Sequence, residues 1–175
     1  MSGAPVIILQ PLSKINLERL AAGLGIVFAT LTVAEGALPP PRVATRSLDL
    51  LRSGSALLWA VPFNVIVPNQ ATIVGGCGFK GPPVAGQVEI GYGIAPEYHR
   101  CGFGSRAVTL LVKMAEAAGV YHVVAHIAPQ NKASAALAGR VGFIKGLPVI
   151  DADDEVVVRW HWRSLEPERT ELKVS

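Results

Sequence analysis

The stretch "EIGYGIAPEYHRCGFGSRAVTLL", Glu89–Leu111, decides how this chain is read. Up to Ile94 its apolar residues alternate as on a half-buried strand, and Pro96 ends the run. From Gly104 onward Ala107, Leu110, Leu111, Met114, Ala115 and Ala118 recur at helical spacing, and Gly119 closes the helix. Gly102 and Gly104 lie where strand hands over to helix, with Arg100 and Arg106 on either side. Glycine permits close approach and unusual backbone angles, so successive N–H groups can converge on one oxygen cluster. The first turn of a helix adds its own partial positive charge. A pyrophosphate suits such a place. A tight strand-to-helix turn, with glycines that only close the bend, is the other reading these residues leave open.

Two nucleotide motifs are excluded by context. "GFGSRA" fits G-x-G-x-x-A, but a dinucleotide site needs an acid at the end of the next strand, about twenty positions on. That region here is "HVVAHIA", without one. The lysine of a P-loop is also missing. An oxidoreductase that binds a nucleotide is therefore a distant reading.

The 175 residues suit one domain with a core of its own. Half of them are apolar and 17% charged, which excludes a disordered chain. The net charge of +3 is small and its basic residues are scattered, so neither nucleic acid nor a membrane surface is the expected partner. Cys77 and Cys101 form neither a disulfide framework nor a CxxC pair, and no metal is expected. Leu20–Ala34 is almost free of charge, but it is short for a membrane span and rich in Gly and Thr. A soluble, cytoplasmic protein is expected.

Along the chain, "PVIILQPL" reads as a strand and "SKINLERLAAGLG" as a helix capped by Ser13. Ala37–Arg42 reads as an extended connector and "TRSLDLLRSG" as a second short helix. "ALLWAVPFNVIV", "ATIVGGCGF" and "QVEIGYGIA" read as three strands joined by short turns, hence antiparallel. "VYHVVAHIA" is a strand, "NKASAALAGRVG" a helix with Asn131 as N-cap, and "EVVVRWHW" the last strand. The expected organisation is one mixed α/β (α+β) domain over residues 1–163, followed by a polar tail over 164–175.

"YHRCGFGSRAV" resembles the acyl-CoA-binding motif of the GNAT N-acetyltransferases, Gln/Arg-x-x-Gly-x-Gly/Ala, through His99, Arg100, Gly102, Phe103 and Gly104. "PQNKASAALAGRVGF" is similar to that family's second signature through Asn131, Ser134, Gly142 and Phe143. "VEIGYGIAPEY" resembles the strand that precedes the motif in the Rim-like branch, whose members acetylate protein N-termini and various small amines. The resemblance runs from about Phe79 to Phe143. It implies a mostly antiparallel sheet splayed in the middle, with helices on both faces. It also implies acetyl-CoA or another acyl-CoA as donor, with its pyrophosphate on the amides of His99 to Ser105 and its pantetheine arm along the end of the "EIGYGIA" strand at Ile94. The chain departs from the pattern at His99, where Gln or Arg is usual. It departs again at Ala138, where many members carry the tyrosine that protonates the leaving thiolate.

Direct transfer from a thioester to an amine needs a neutral amine, donors for the oxyanion and a proton for the thiolate. Glu89, on the glycine-bare face of its strand, is the candidate base; its other reading is a salt-bridged surface carboxylate. A strand bulge at Gly91 and Gly93 would free a backbone N–H between Tyr92 and Ile94 for the oxyanion. Asn131 is a cofactor contact or a plain cap. Ser134 is a proton donor, a cofactor contact or a packing residue. His122 and His126 lack a third metal ligand, and Cys101 lacks a base that would make it a nucleophile. Tyr98, Trp59, Trp160 and Trp162 read as packing. The expected function is N-acylation of a primary amine on a small molecule or a protein N-terminus. The alternative is an acyl-CoA-binding sensor or partner module without turnover. A Glu89 open to a cleft favours the enzyme, and one sealed in a salt bridge favours the binder. Apolar surface around "AAGLGIVFATL" would suit a homodimer.

Overall fold

The structure, a computed structural model, describes residues 3–164. Residues 165–175 of the expected tail lie outside the described residues. The elements run β1 (Ile8–Pro11), α1 (Lys14–Ala21), β2 (Thr32–Val33), α2 (Pro41–Arg52), α3 (Leu57–Ala60), β3 (Phe63–Val67), β4 (Thr72–Phe79) and β5 (Gln87–Ile94). Then follow α4 (Phe103–Ala117), β6 (His122–Ile127), α5 (Lys132–Val141), β7 (Ile144–Ile150) and β8 (Val156–Arg163). The strands form one sheet in the order β1-β3-β4-β5-β6-β8-β7, with the short β2 beside the start of β4. Among the described residues only β5–β6 and β2–β4 pair in parallel.

One face of the sheet carries Val65, Val74, Val88, Ile90, Val123 and Ala125, packed against Ala107, Val108, Leu111 and Ala115 of α4. Full burial of each larger aliphatic side chain contributes roughly 1.5–3 kcal/mol, so this layer anchors the fold. α4 stops where the sequence says it should, at Gly119 with φ +80°. On the other side α1 and α2 join through Leu17, Leu20, Ala44 and Leu48. α2 passes over the β4–β5 turn, where Leu50 Cδ2 lies 3.9 Å from the Cβ position of Gly81.

Parallel pairing of β5 with β6 lasts from Gln87↔His122 to Ile90↔Ala125 and then ends, although β5 continues to Ile94 and β6 to Ile127. The sheet is splayed there.

Several local expectations are corrected. The connector ends early because Pro41 starts α2 at its first helical position, where a missing N–H costs nothing. The strand expected from Ala56 begins only at Phe63, after the single helical turn of α3 and Pro62. β2 and β7 were not expected. β7 is interrupted between Lys145 and Pro148 by a register shift, which hides its alternation. The bulge lies between β3 and β4, where Val65 faces Gly75 but Ile66 faces Ile73. β5 itself runs in unbroken register with β4 from Ile90 to Ile94.

Gly75, opposite Ile94, has no room for a side chain: a Cβ would run into the Gly93 carbonyl and come within 2.8 Å of Ile94 Cδ1. At Gly93 a Cβ meets nothing within 4 Å. Gly75→Ala is therefore expected to lower stability by about 1–3 kcal/mol, as overpacking does, while Gly93→Ala leaves it nearly unchanged. Urea unfolding midpoints of the two variants check this contrast.

Candidate active site

The cradle is built by the entry into α4. Gly102 precedes the helix at φ +81° and Arg100 stands at φ +61°, so the chain turns through left-handed conformations before Phe103. The first hydrogen bond into this turn runs from Arg106 N–H to the Gly102 carbonyl at 3.1 Å. The N–H groups of Phe103, Gly104 and Ser105 thus lie ahead of the helical ladder, and no side chain caps them. By contrast, Ser13 caps α1 and Asn131 caps α5. Arg100 is exposed and Arg106 half-buried, and neither has an ion-pair partner among the described residues. An uncapped 15-residue helix with two free guanidinium groups nearby can hold an anion.

The side chains in this loop divide their tasks. Phe103 is buried against the core, with its ring 6.1 Å from Tyr98, so only its N–H faces a ligand. The His99 ring nitrogen Nε2 lies 2.8 Å from the Ile94 carbonyl, to which it donates in the N–H tautomer. His99 thereby ties the cradle to the end of β5. Gly104 is buried, and a Cβ there would come within 2.6 Å of Leu137 on α5. This glycine also sets the approach of two helices.

The wedge between β5 and β6 is the second part. Lys80 N–H bonds the Glu89 carbonyl at 2.8 Å, and Ala95 N–H bonds the Val74 carbonyl at 2.8 Å. Antiparallel alternation then points the peptide groups of Glu89, Gly91, Gly93 and Ala95 at β4, and those of Tyr92 and Ile94 away from it. Beyond Ile90 no strand pairs with that edge of β5. The expected oxyanion donors are therefore exposed by the splay; no bulge is required.

Across the wedge, Ser134 Oγ donates to the Tyr92 hydroxyl at 2.9 Å, and that hydroxyl lies 3.3 Å from the Ser134 carbonyl. Asn131 Oδ1 accepts from Ser134 N–H at 3.0 Å, so Asn131 caps α5 and fixes Ser134 on the first turn. Burial pushes the Tyr92 phenol up, and the Ser134 hydrogen bond offsets part of this, so it stays protonated. Ala138 is fully buried in the helix. The sequence alone assigns no role to the Tyr92 side chain. Its link to Ser134 spans 42 positions, which no local pattern reveals.

Glu89 lies on the opposite face of the sheet. Its Oε1 is paired with Lys80 Nζ and lies 2.9 Å from His126 Nδ1, while its side chain keeps 30% exposure. Burial pushes its carboxyl up, but the hydrogen bonds and charges of Lys80 and His126 outweigh this and hold it below the usual carboxylate range. It is thus both ion-paired and partly open. His122 pairs instead with His161, Nε2 to Nδ1 at 3.0 Å. Among the described residues no group of three or more His, Cys, Asp or Glu is placed to hold a metal ion. Cys101 is exposed in the loop, and burial pushes the Cys77 thiol up to about 12. Trp59 packs edge-on against Phe79, with ring centroids 4.8 Å apart. Tyr98, Trp160 and Trp162 also line the core.

The family profile described as "Acetyltransferase (GNAT) domain" matches residues 28–144, more than half of the chain. A ribosomal-protein-S5-alanine acetyltransferase from Vibrio fischeri shares the fold at TM-score 0.61 and 15% identity, over 96% of each chain. A ribosomal L7/L12 alpha-N-protein acetyltransferase in complex with coenzyme A aligns at TM-score 0.63 and 17% identity, over 90% of this chain and 93% of its own. A mutant spermidine N-acetyltransferase from Vibrio cholerae aligns at TM-score 0.61 and 13% identity, over 90% of this chain and 93% of its own. No curated protein matches the sequence. Among the described residues no helix is long and apolar enough to cross a membrane.

The Glu89 carboxyl is lowered in the fold, so the stability it contributes is complete above the unfolded carboxylate range, near pH ~4.3. That stability is lost as pH falls through the lower folded value. The melting temperature gap between the protein and Glu89→Gln is expected to be widest near neutral pH and to close below about pH 4. A gap that does not change between pH 7 and 3 would show that the Lys80 and His126 contacts do not bias the carboxyl.

Proposed function

This chain belongs to the GNAT acetyltransferase domain family, for which acetyl-CoA is the acyl donor, and on that premise we propose that it transfers the acetyl group directly to a primary amine through the residues of the wedge. The observation that carries this reading is the convergence of three groups on the splay. These are the uncapped start of α4, the outward peptide groups of Tyr92 and Ile94, and the Tyr92–Ser134 hydroxyl pair.

In the proposed mechanism the pyrophosphate sits on the amides of Phe103, Gly104 and Ser105, with Arg100 and Arg106 supplying charge; the His99 N–H, expected to join them, is instead bound to the Pro96 carbonyl at 3.1 Å. Asn131, as cap, holds the turn that faces the pantetheine arm, and that arm runs past Ile94 into the wedge. The thioester oxygen meets one of the two outward N–H groups, that of Tyr92 or that of Ile94, which stand about 6.7 Å apart along the strand, and that donor stabilises the charge that develops in the tetrahedral intermediate. The amine approaches from the Glu89 face, and Glu89, through water, takes the proton the nitrogen sheds. Collapse breaks the carbon–sulfur bond, and Ser134 Oγ protonates the thiolate. Tyr92 can then turn its O–H from the Ser134 carbonyl to Ser134 Oγ and restore that proton, and the phenolate regains its own from water in the wedge, which balances the proton that Glu89 passes to solvent. A phenol on β5 would in this way stand in for the tyrosine that Ala138 replaces.

Two solved neighbours are named for ribosomal proteins, one for an alanine of S5 and one for alpha-N acetylation of L7/L12, and a third for spermidine. Their names support an amine acceptor, and a Rim-like acceptor in particular. The pairing of Glu89 with Lys80 and His126 favours a second reading, a module that binds acyl-CoA without turnover.

Millimolar acetyl-CoA is expected to raise the melting temperature, since a ligand at 100 times its Kd adds about 2.7 kcal/mol, while NADH does not. No rise would reduce the α4 entry to a turn. Binding without thiol release from any amine would favour the module. Tyr92→Phe should lower kcat about 100-fold or more, the low end for a lost proton donor, with KM for acetyl-CoA nearly unchanged. Ser134→Ala added to it should cost little more, as for two groups acting as one unit. Additive losses would mean that the two hydroxyls act separately. Glu89→Gln should keep acetyl-CoA binding and cut turnover at neutral pH; unchanged turnover would remove Glu89 as base.

A further inference from the structure

The face of the sheet that bears Glu89 has a floor without side chains. Gly76 stands opposite Gly93 and Gly78 opposite Gly91, so four glycines share one face at the splayed end of β5. The floor is covered at its β4 side, where Pro62 and the Ala37 carbonyl lie over Gly78 and Gly76. It is open at the β5 side: a Cβ at Gly93 meets nothing within 4 Å, and one at Gly91 meets only Lys80 Cε at 3.6 Å. Side chains that a packed strand would carry are missing where the amine has to arrive.

The charge around this floor is uneven. Lys80 and His126 are committed to Glu89, and Arg52 holds Asp49 at 2.8 Å. Asp151, from the β7–β8 turn, adds a negative charge on the Lys80 and His126 side. Arg42 and Arg46, one helical turn apart on α2, form no ion pair or hydrogen bond among the described residues. Like charges at this spacing destabilise a helix. Arg46 is nonetheless half-buried: desolvation is the main influence on it, the Glu89 charge favours it and Arg42 opposes it. Arg42 and Arg46 line an open cleft of about 670 Å³ along α2, together with Asp49, whose carboxylate is held by Arg52. A positive charge half withdrawn from water, without a partner, and within the field of the candidate base is a recognition element awaiting an anion.

We propose that the acceptor is a primary amine carrying a carboxylate, with the amine over the Gly91–Gly93 floor at Glu89 and the carboxylate on Arg46 and Arg42. Glu89 and the arginines form a negative and a positive pole, which matches an acceptor that bears both an amine and a carboxylate. A polyamine would meet the arginines with its second positive charge and be repelled. This rests on the reading of the Glu89 face as the acceptor side of an acetyltransferase. The same chemistry occurs in a free acidic amino acid and in the N-terminus of an acidic peptide.

The test measures thiol release from acetyl-CoA by the full chain. The acceptors are aspartate and glutamate, their diamides, an acidic tetrapeptide and its Asn/Gln counterpart (both amidated at the C-terminus), and spermidine. Acidic acceptors are expected to exceed their neutral counterparts at least ~10-fold in kcat/KM, as one charge-assisted pair allows. The lead of amino acid or peptide identifies the source. Arg46→Gln should remove that preference by raising KM for the acidic acceptor, with KM for acetyl-CoA unchanged, and Arg46→Lys should restore part of it. Gly93→Val, which fills the floor, should raise KM for the acceptor while the melting temperature and its acetyl-CoA shift persist. Spermidine or the neutral compounds turned over as well as the acids would overturn the inference and leave acyl transfer standing. No turnover of any amine, with the acetyl-CoA shift intact, would overturn both in favour of the binding module.

Discussion

The parallel junction between β5 and β6 holds for four residue pairs and then opens, and the rest of the site depends on that release. A sheet normally satisfies every peptide group of an interior strand from both sides. Here the edge of β5 at Tyr92 and Ile94 is left facing a gap, so two backbone donors become available without strain or a bulge. The gap is kept from closing by what crosses it. Tyr92 reaches Ser134 on α5, and Leu137 of the same helix lies against Gly104. The wedge is a built feature of the helix layer as much as of the strands.

Three glycines close to this wedge act for three different reasons. Gly102 takes a left-handed conformation that turns the chain into α4. Gly104 lets α4 and α5 approach, since any Cβ meets Leu137. Gly93 has open space above it, and its lack of a side chain serves the ligand side of the sheet. Mutating them tests conformation, packing and access separately. The proposed anion cradle needs only the N–H groups of the α4 entry, so a core position for the Phe103 ring is compatible with a cofactor contact at its N–H.

The two sides of the sheet carry opposite physical tasks. The α4 side is apolar and determines stability. The α2 side holds Glu89, paired with Lys80 and His126, and the half-buried Arg46, which forms no ion pair among the described residues. A carboxylate held ionised by a lysine and a histidine is a weaker base than an isolated one. It is well suited to attract an ammonium group and pass a proton through water. The chemistry on that face is therefore governed by electrostatic arrangement, with little contribution from burial.

The sequence by itself determined the elements whose causes are local. The period of α4, its stop at Gly119, the Ser13 and Asn131 caps and the strand ended by Pro96 are all written within a few residues of where they act. The cradle was legible for the same reason, because its amides, glycines and arginines are consecutive. Elements with weak local signals were not legible: β7 is broken by Gly146 and Pro148, and the strand expected from Ala56 yields to the helical turn before Pro62. The tertiary structure alone decided which residues meet across distance. Tyr92 and Ser134 are 42 positions apart, and Glu89 is met by Lys80 from the turn after β4 and by His126 from β6, within the charge field of Arg46 on α2. Their contact follows from the register of β4, β5 and β6 and from the place of α2 over the sheet. Register and helix placement are set by the summed packing of the core, which no short stretch of sequence contains.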